Sequence, residues 1–388
     1  MAQSRVRRPA AWLCGTGLVS ALGDDPVAAL RAGPVALPRV TLGETEGSVP
    51  YYAIEGGSDG GGADRRLEGL VAHAIGQALG EAALTAAERV RAMVLVGTSS
   101  LDLGHWEALY RAGLADGDDS AFVALGSRHG SYGTLAALAA GVMGSRGREY
   151  LISTACSSSA NALLQAVRAI RGGLVRHALV LGVEVYNQLT LHGFNSLALL
   201  SRGHLRPFDA RRDGTILGEA VAAVVLSADP TSGFRLLGGY SEADTASFTG
   251  TSPQAVARVL ERTLAAGATT VGELTAIKAH GTGTGANDAA EAQGMRLLFG
   301  QSVPPFNSLK PYLGHTLGAS GAAELVLLCR CLAAGFFPAA PEVTQLDPDL
   351  GLAPVAAHLP LTHGRFLLDF FGFGGNSCGL MLESGLSE

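Results

Sequence analysis

Cys156 and two distant histidines are the residues of this chain whose types and surroundings point to chemistry. Cys156 stands in I-S-T-A-C-S-S-S-A-N-A-L-L, where an apolar, β-branched run changes to a helical pattern. A cysteine at such a junction lies at or near a helix N-terminus, where unpaired N–H groups and the helix dipole favour the thiolate. His280 stands in A-H-G-T-G-T-G and His315 in L-G-H-T-L-G-A-S-G, both in glycine-rich turns. One thiol with two imidazoles predicts acyl-thioester chemistry.

The elements that must position these groups follow from the pattern around them. A helix is expected after Cys156, because apolar residues recur on one face and a glycine pair follows. These residues are Leu163, Leu164, Val167 and Ile170, then Gly172 and Gly173. A strand-like run precedes His280, and a second helix is expected from about Ser320 to Ala334. Alternating strands and helices indicate a mainly parallel α/β protein.

The three segments, with F-G-F-G-G near the end of the sequence, resemble the β-ketoacyl-acyl carrier protein synthases of the thiolase fold. The resemblance extends from about Leu13 to the last residues, with four motifs in the same order and at compatible spacing. It implies an α/β fold of two tandem related halves in a five-layer αβαβα sandwich. The halves are expected to meet near D-P-T-S-G, giving residues 1–230 with Cys156 and residues 231–388 with His280 and His315.

The resemblance also implies a reaction, a decarboxylative Claisen condensation catalysed by an acyltransferase. Cys156 would take an acyl group from a carrier thioester, and His280 and His315 would stabilise the enolate formed from malonyl-acyl carrier protein. The product would be a 3-oxoacyl-acyl carrier protein. Chain length, starter group, the role of each histidine and the pathway (fatty acid, polyketide or aryl polyene) stay open.

Four further residues receive roles from the resemblance. Lys310 is notable by composition alone, because Lys278 and Lys310 are the only lysines among 28 lysines and arginines. Similarity pairs Lys310 with Glu324 to order the histidine. It gives Asp288 a supporting structural role, although Asp288 and the neighbouring Glu291 would also suit the start of a helix. It makes Phe373 the gate to the acyl pocket, with its N–H beside that of Cys156 in an oxyanion hole.

A basic cluster in H-L-R-P-F-D-A-R-R-D-G has two interpretations. Arg206, Arg211 and Arg212 either pair with nearby aspartates or form the docking patch for an acidic acyl carrier protein. Arg206 is the best single candidate for carrier binding. The resemblance implies a dimer, either of identical chains or with a related ketosynthase-like subunit.

The bulk composition excludes several classes of protein. With 388 residues, 47% hydrophobic and 16% charged, the chain is globular and has a large core. A net charge of −6, without a basic stripe, argues against nucleic-acid binding. No apolar run would span a membrane, and glycines interrupt the apolar run that follows the N-terminal arginines. Five cysteines, an odd number, favour a reducing, cytoplasmic compartment. No metal site or cofactor is expected.

Three rival functions were weighed. A degradative thiolase would require a second catalytic cysteine before a C-terminal glycine pair, whereas Cys378 follows the pair Gly374–Gly375. A ketosynthase of the Cys-His-Asn type is disfavoured because His315 stands at the asparagine position. The remaining alternative is a non-catalytic, chain-length-determining partner subunit of a heterodimeric ketosynthase, against which the intact Cys156 counts.

Overall fold

The computed structural model describes residues 10–33, 36–43, 47–55, 63–101, 103–117, 133–230, 233–245 and 247–385. The strands within these ranges are β1 Ala11–Ser20, β2 Arg39–Gly43, β3 Gly47–Pro50, β4 Met93–Gly97, β5 Glu149–Ile152, β6 His177–Glu184, β7 Ala220–Ser227, β8 Phe234–Ala243, β9 Leu274–Lys278, β10 Phe306–Asn307, β11 Phe336–Phe337, β12 Leu359–Pro360, β13 Gly364–Phe371 and β14 Asn376–Ser384. The helices there are α1 Pro26–Ala32, α2 Ala63–Ala82, α3 Ala86–Arg91, α4 Leu103–Asp116, α5 Thr134–Met143, α6 Ser158–Arg171, α7 Gln188–Ser196, α8 Pro253–Ala266, α9 Gly285–Phe299, α10 Lys310–Leu313 and α11 Ser320–Ala333.

Ten strands form one mixed sheet, and its two ends repeat the same order. From one edge the strands run β10-β9-β13-β14-β8, and the sheet continues through β1-β7-β6-β4-β5. When each group of five strands is numbered in chain order and read from its own outer edge towards the centre of the sheet, both groups have the order 3-2-4-5-1. The two groups are joined only where Ala11 and Trp12 of β1 pair with Leu236 and Arg235 of β8. The two halves therefore build their sheets in the same way.

Helices cover both faces of each half of the sheet. Strands β6 and β7 are buried along their whole length, as expected for strands covered on two sides. Helices α2 and α5 pack on one face of the N-terminal group, and α8 and α9 pack on one face of the C-terminal group. Helices α6 and α11 share a core that contains residues of both groups of strands. From one side to the other, the layers are therefore an outer pair of helices, one half of the sheet, the central helices α6 and α11, the other half of the sheet, and a second outer pair of helices.

The two helices expected around the reactive residues are present. Helix α6 begins at Ser158 and ends at Arg171, directly before the glycine pair. Helix α11 spans Ser320–Ala333, one residue shorter than expected. Both lie in the central layer, so the residues immediately before them are carried to the middle of the molecule. Of the expected junction between the halves, residues 231 and 232 lie outside the described residues.

Candidate active site

Cys156 is presented by a tight turn between β5 and α6. Thr154 and Cys156 form an isolated β-bridge, and Ala155 between them has φ +51°, a conformation that costs energy for a residue with a Cβ. The helix begins two residues later at Ser158. The thiol itself is 4% exposed. The turn therefore holds the sulfur in the interior, just before the helix N-terminus.

His315 lies next to this sulfur. Its Nε2 atom is 3.1 Å from Sγ of Cys156, although the two residues are 159 positions apart in the chain. The backbone N–H of His315 donates to the carbonyl of Ile216 at 2.7 Å, and Leu317, with φ +44°, turns the chain into the helical segment that follows. The convergence of the Cys156 turn and the His315 turn on one centre, expected from the sequence, is thus observed.

His280 stands beside His315, with ring centroids 5.4 Å apart and rings nearly perpendicular. Two buried carboxylates hold the turn that carries it. Glu291 accepts hydrogen bonds from the N–H groups of His280 and Gly281, at 2.6 and 2.8 Å. Asp288 accepts from the N–H of Thr282 at 3.1 Å and from two further backbone N–H groups, those of residues 283 and 208. These acids therefore bind the turn that carries His280, whereas the sequence also allowed them a purely helix-capping role.

Lys310 connects to His280 and not to His315, the nearer histidine in sequence. Its ammonium is 3.2 Å from Nδ1 of His280 and 2.8 Å from Oε1 of Glu324. Because a charged lysine has donors and no acceptor, Nδ1 of His280 must accept, and the ring proton lies on Nε2. The pair that similarity assigned to the ordering of a histidine therefore fixes the tautomer of His280.

Burial keeps both imidazoles neutral. It lowers the pKa of His280 well below its usual range, and the nearby cations Lys310 and Lys278 lower it further. Burial and the same two lysines act in the same direction on the pKa of His315. Neutral rings that can each donate one N–H suit the stabilisation of a developing oxyanion.

The thiol of Cys156 differs from the sequence expectation. Burial raises its pKa to about 12, against smaller lowering effects of Lys310, the N–H of Phe373 and its own N–H. The helix N-terminus was expected to favour the thiolate, but desolvation of a sulfur this deeply buried outweighs it. The resting pair is therefore a thiol beside a neutral imidazole.

Two buried residues of this site, Lys278 and Asp369, were not assigned roles from the sequence. Lys278 donates to the other oxygen of Glu324, Oε2, at 2.7 Å and to the carbonyl of Asp369 at 2.7 Å. Burial raises the pKa of Asp369 to about 6 and that of Glu291 well above its usual range. The Glu291 carboxyl and the backbone N–H of His280 lie near the Asp369 carboxyl and lower its pKa against the larger effect of burial. A signal was present for Asp369, since it interrupts the apolar run F-L-L-D-F-F.

Phe373 lies close to the sulfur of Cys156. Its ring stacks on Phe194 of α7 at 5.5 Å, and Phe194 meets the edge of His315 at 6.3 Å. The preceding Gly372 is packed so closely that a Cβ there would lie 3.1 Å from the backbone nitrogen of Cys156. The N–H groups of Phe373 and Cys156 both interact with the sulfur, and an oxyanion hole at this position would require both donors.

An apolar cluster adjoins the thiol. Its buried members besides Cys156 are Leu42, Val49, Tyr51, Leu191, Leu200, Leu217 and Leu317. Such a lining suits an acyl chain attached to the sulfur. A separate cavity of about 640 Å³ lies near the end of β1 and contains none of the predicted site residues.

Arg206 lies outside the apolar cluster beside the thiol. Its side chain is 20% exposed, and Nε lies 4.0 Å from a carboxylate oxygen of Glu342. The other two arginines of the basic segment are paired, Arg211 with Asp209 and Arg212 with Asp347. Each of the three cations therefore has an acidic neighbour within the chain, and carrier binding by Arg206 stays a prediction.

Within the part of the chain that the structure describes, no helix is long and apolar enough to cross a membrane. The same residues contain no group of three or more histidine, cysteine or acidic side chains arranged to hold a metal ion. All five cysteines are buried, and none of them forms a disulfide.

Comparison with known families agrees with this geometry. The family described as "Beta-ketoacyl synthase, N-terminal domain" matches residues 66–231, and "Beta-ketoacyl synthase, C-terminal domain" matches residues 236–344. The chain belongs to the beta-ketoacyl synthase family. The family predicted from the four motifs is thus confirmed. Cys156, His280 and His315 all fall within the matched segments, whereas the F-G-F-G-G segment lies beyond them.

Individual relatives and solved structures extend the comparison. The chain is 32% identical over 262 residues to "Highly reducing polyketide synthase alnA" of Emericella nidulans, covering 61% of this chain and 11% of that protein. It spans about a tenth of the length of the curated relatives it matches.

Two solved structures resemble the whole chain. One is the ketosynthase (ApeO) in complex with its chain length factor (ApeC) from Xenorhabdus doucetiae, with a TM-score of 0.83, 25% identity and coverage of 99% and 100%. The other is AntDE:AntF, a type II PKS acyl-carrier protein in complex with its ketosynthase, with a TM-score of 0.86, 20% identity and coverage of 98% and 100%. The predicted thiolase fold is confirmed.

Proposed function

We propose that this beta-ketoacyl synthase catalyses the decarboxylative Claisen condensation of an acyl thioester with malonyl-acyl carrier protein. The observation that carries the proposal is the 3.1 Å contact between Sγ of Cys156 and Nε2 of His315, with His280 beside it. A thiol, a neutral base and a second neutral donor are the groups that this reaction needs. The product is a 3-oxoacyl-acyl carrier protein.

The first half-reaction loads the enzyme. Nε2 of His315 takes the proton of Cys156 as the sulfur attacks the carbonyl of the acyl thioester. The N–H groups of Cys156 and Phe373 hold the resulting oxyanion. The carbon–sulfur bond to the carrier then breaks, and the proton passes from His315 to the departing carrier thiol. The acyl group is left on Cys156 without a net change of charge.

The second half-reaction forms the new carbon–carbon bond. The bond between the malonyl α-carbon and its carboxylate breaks, CO2 departs, and the electron pair forms a thioester enolate. His280, held in its Nε2–H tautomer by Lys310, donates to the enolate oxygen. His315 supplies the second donor from its Nε2–H group when its Nδ1 atom accepts a hydrogen bond from the Ser320 hydroxyl, which lies 3.5 Å away. The enolate carbon attacks the acyl carbonyl, the bond to the Cys156 sulfur breaks, and the departing thiolate takes up a proton from solvent to regenerate the thiol.

Purified protein, with any subunit that co-purifies, tests both steps. Incubation with acyl thioesters should add the acyl mass to the peptide containing Cys156, and malonyl thioester should release CO2. Cys156→Ala should abolish acylation while the protein stays folded. A chain-length-determining subunit would neither become acylated nor complete a condensation, so the absence of both activities would favour that alternative.

We propose an acyl carrier protein as the partner that delivers both substrates, with Arg206 at its docking surface. The proposal is supported by the partly exposed guanidinium, by similarity, and by the carrier complex of a solved structure with the same fold. Arg206→Glu should raise KM for malonyl-acyl carrier protein about tenfold, as expected when a charge contact at an interface is reversed. KM for a malonyl thioester of a small thiol should be unchanged. An equal effect on both substrates would contradict the docking role.

We further infer a dimer, with the exposed edge strand β5 as its interface. Glu149 and Tyr150 of this strand are exposed, and among the described residues no strand pairs with its outer side. Unpaired edges of this kind commonly pair with a second chain. The second chain is either identical or a related subunit, as in the ketosynthase and chain length factor complex described above.

Two further expectations stand as proposals. We assign residues 1–230 and 231–388 to two tandem halves, supported by their identical strand orders. We assign the protein to the cytoplasm, supported by its five buried cysteines, none of which forms a disulfide.

A further inference from the structure

The two lysines of this chain meet on a single carboxylate. The chain has 28 lysines and arginines, and the only two lysines are both fully buried. Lys310 is 2.8 Å from Oε1 of Glu324, and Lys278 is 2.7 Å from Oε2. Burying one ammonium group costs free energy unless an acid pairs with it, and burying two ammonium groups against a single acid costs more. Lys310 contributes to the proposed reaction because it contacts His280. Lys278 has no role in the steps described above.

Several contacts fix the side chain of Lys278. It ends β9, two positions before His280, between the neighbouring strands β10 and β13. Its ammonium donates to Glu324 and to the carbonyl of Asp369, and it lies 3.6 Å from the centre of the Phe370 ring. Burial and the neighbouring Lys310 lower the pKa of Lys278, whereas its contacts with Glu324, Asp369 and the Phe370 ring favour the charged form. The ammonium is thus fixed by its partners two positions before His280.

We propose that Lys278 is a positioning residue for the decarboxylation step, because it occupies Oε2 of Glu324 and thereby holds Lys310 on His280. With Oε2 engaged, Oε1 is the oxygen left for Lys310. The Lys310 ammonium is then aimed at Nδ1 of His280, which keeps the Nε2–H of that ring pointed away from the lysines. This inference rests on the proposed condensing activity.

Removal of Lys278 would disturb His280 in two ways. Glu324 would have an unpaired buried oxygen, so it would draw Lys310 onto both of its oxygens or take up a proton. The loss of a nearby cation would also raise the pKa of His280, because Lys278 is one of the charges that lower it. A protonated imidazole cannot accept the hydrogen bond of Lys310.

The effect should fall mainly on one half-reaction. His315, not His280, contacts the sulfur of Cys156, and the lysines act on His315 through their charge alone. Acylation of Cys156 therefore depends less on the lysine pair than enolate stabilisation by His280, which also depends on the hydrogen bond from Lys310. A residue needed only for the stability of the core would instead affect both half-reactions together.

Three substitutions separate charge, hydrogen bonding and packing. Lys278→Met removes charge and donor, Lys278→Gln keeps a donor without charge, and Lys278→Arg keeps the charge. The Met and Gln variants should lose about tenfold or more in malonyl decarboxylation, as expected when a catalytic group is misplaced. Their Cys156 acylation rate should stay within about threefold. The acid limb of the decarboxylation pH profile should move up by roughly one unit, because a nearby cation is lost. The Arg variant should keep the parent's acid limb.

Phe366→Leu is the control for damage to the same core. Phe366 is fully buried on β13, where it pairs in register with Ala276 of β9. This variant should be less stable than the parent but should keep the same pH profile and the same ratio of decarboxylation to acylation. Histidine ¹⁵N NMR gives a readout that needs no turnover, since the His280 ring should titrate at higher pH in the Met variant.

The outcomes distinguish the two proposals. If the parent protein neither decarboxylates malonyl thioester nor acylates Cys156, the proposed function fails. If the parent is active and the Met and Gln variants keep its rate ratio and its acid limb, the role of Lys278 is wrong. Failure of all three variants to fold would likewise overturn it, in favour of a structural ion pair.

Discussion

At the scale of single residues, the buried sulfur of Cys156 sets how the enzyme must be activated. Its pKa is raised to about 12, so almost no thiolate exists at neutral pH. The neighbouring imidazole of His315 is neutral, because burial lowers its pKa. The nucleophile is therefore formed only as the proton moves to His315 during attack. Thiols of this kind react slowly with reagents that offer no such assistance.

The rate of Cys156 alkylation by iodoacetamide should report this protonation state. Because the pKa lies far above neutrality, the thiolate fraction should rise about tenfold per pH unit between pH 7 and 9, without a plateau. The rate at Cys156 is measured by mass spectrometry of its peptide, with Cys156→Ser as the blank. A plateau below pH 8 would mean that the helix N-terminus outweighs burial, contrary to the geometry.

The chemistry-bearing residues could be predicted from sequence where they stand in local motifs. Cys156, His280 and His315 each sit at a strand end or glycine-rich turn, and this local signal identifies them. The thiol pKa could not be predicted, because burial depends on residues from across the chain. Lys278 and Asp369 were not assigned roles for the same reason, since a charge in an apolar strand becomes interpretable only when its distant partner is known.

At the scale of elements, the site depends on the close approach of helices α6 and α11. A Cβ at Gly321 of α11 would lie 2.1 Å from the backbone nitrogen of Ala160 in α6. Near the same crossing, Gly97 of β4 lies against Ser159. The absence of side chains there lets the two helix starts meet, so that the residues before them, Cys156 and His315, come within reach.

Gly321→Ala should separate these helices and weaken both fold and function. The added methyl group meets backbone that cannot rotate away, so the free energy of unfolding should fall by about 1–3 kcal/mol. Condensation should slow, because the distance between Cys156 and His315 increases. Urea denaturation and the condensation rate are the measurements.

Gly76→Ala provides the matched control for this helix contact. Gly76 is an exposed residue of α2 with no atom within 4 Å of an added Cβ. The same substitution there should leave activity unchanged and should stabilise the protein by up to about 1 kcal/mol. Equal effects at both positions would show that the helix crossing has no special role.

The helices themselves were predictable, and their crossing was not. Apolar periodicity and the glycine pair gave α6 nearly its observed limits, and α11 was one residue shorter than expected. The small residues at Ala160 and Gly321 are also common in ordinary helices, so the pattern alone does not indicate which helix packs on which.

At the scale of the whole molecule, the repeated strand order explains how distant segments form one site. In each half, a strand end or turn leads into a helix of the central layer: Cys156 precedes α6 in the first half, and His315 precedes α11 in the second. His280 follows β9 in the second half and reaches the same centre. The reaction therefore uses both halves, so an isolated half would lack one of its reacting groups.

The exposed edge of the sheet predicts how the protein assembles, and this prediction can be tested. Tyr150 of β5 is 44% exposed, although it is large and mostly apolar. Edge-to-edge pairing about a two-fold axis would cover it and satisfy the free backbone groups of β5. Tyr150→Glu would place a charge in that interface, so it should shift the assembly towards single chains in light scattering.

Leu174→Glu tests whether any exposed apolar residue would give this result. Leu174 is 56% exposed in the turn between α6 and β6, outside the edge strand. This control should keep the parent's assembly state and its activity. Because the predicted contact uses backbone groups, Tyr150→Phe should also preserve the dimer. A Tyr150→Glu protein that remains dimeric at micromolar concentration would contradict an interface at β5 and would move the search to another exposed surface of the chain.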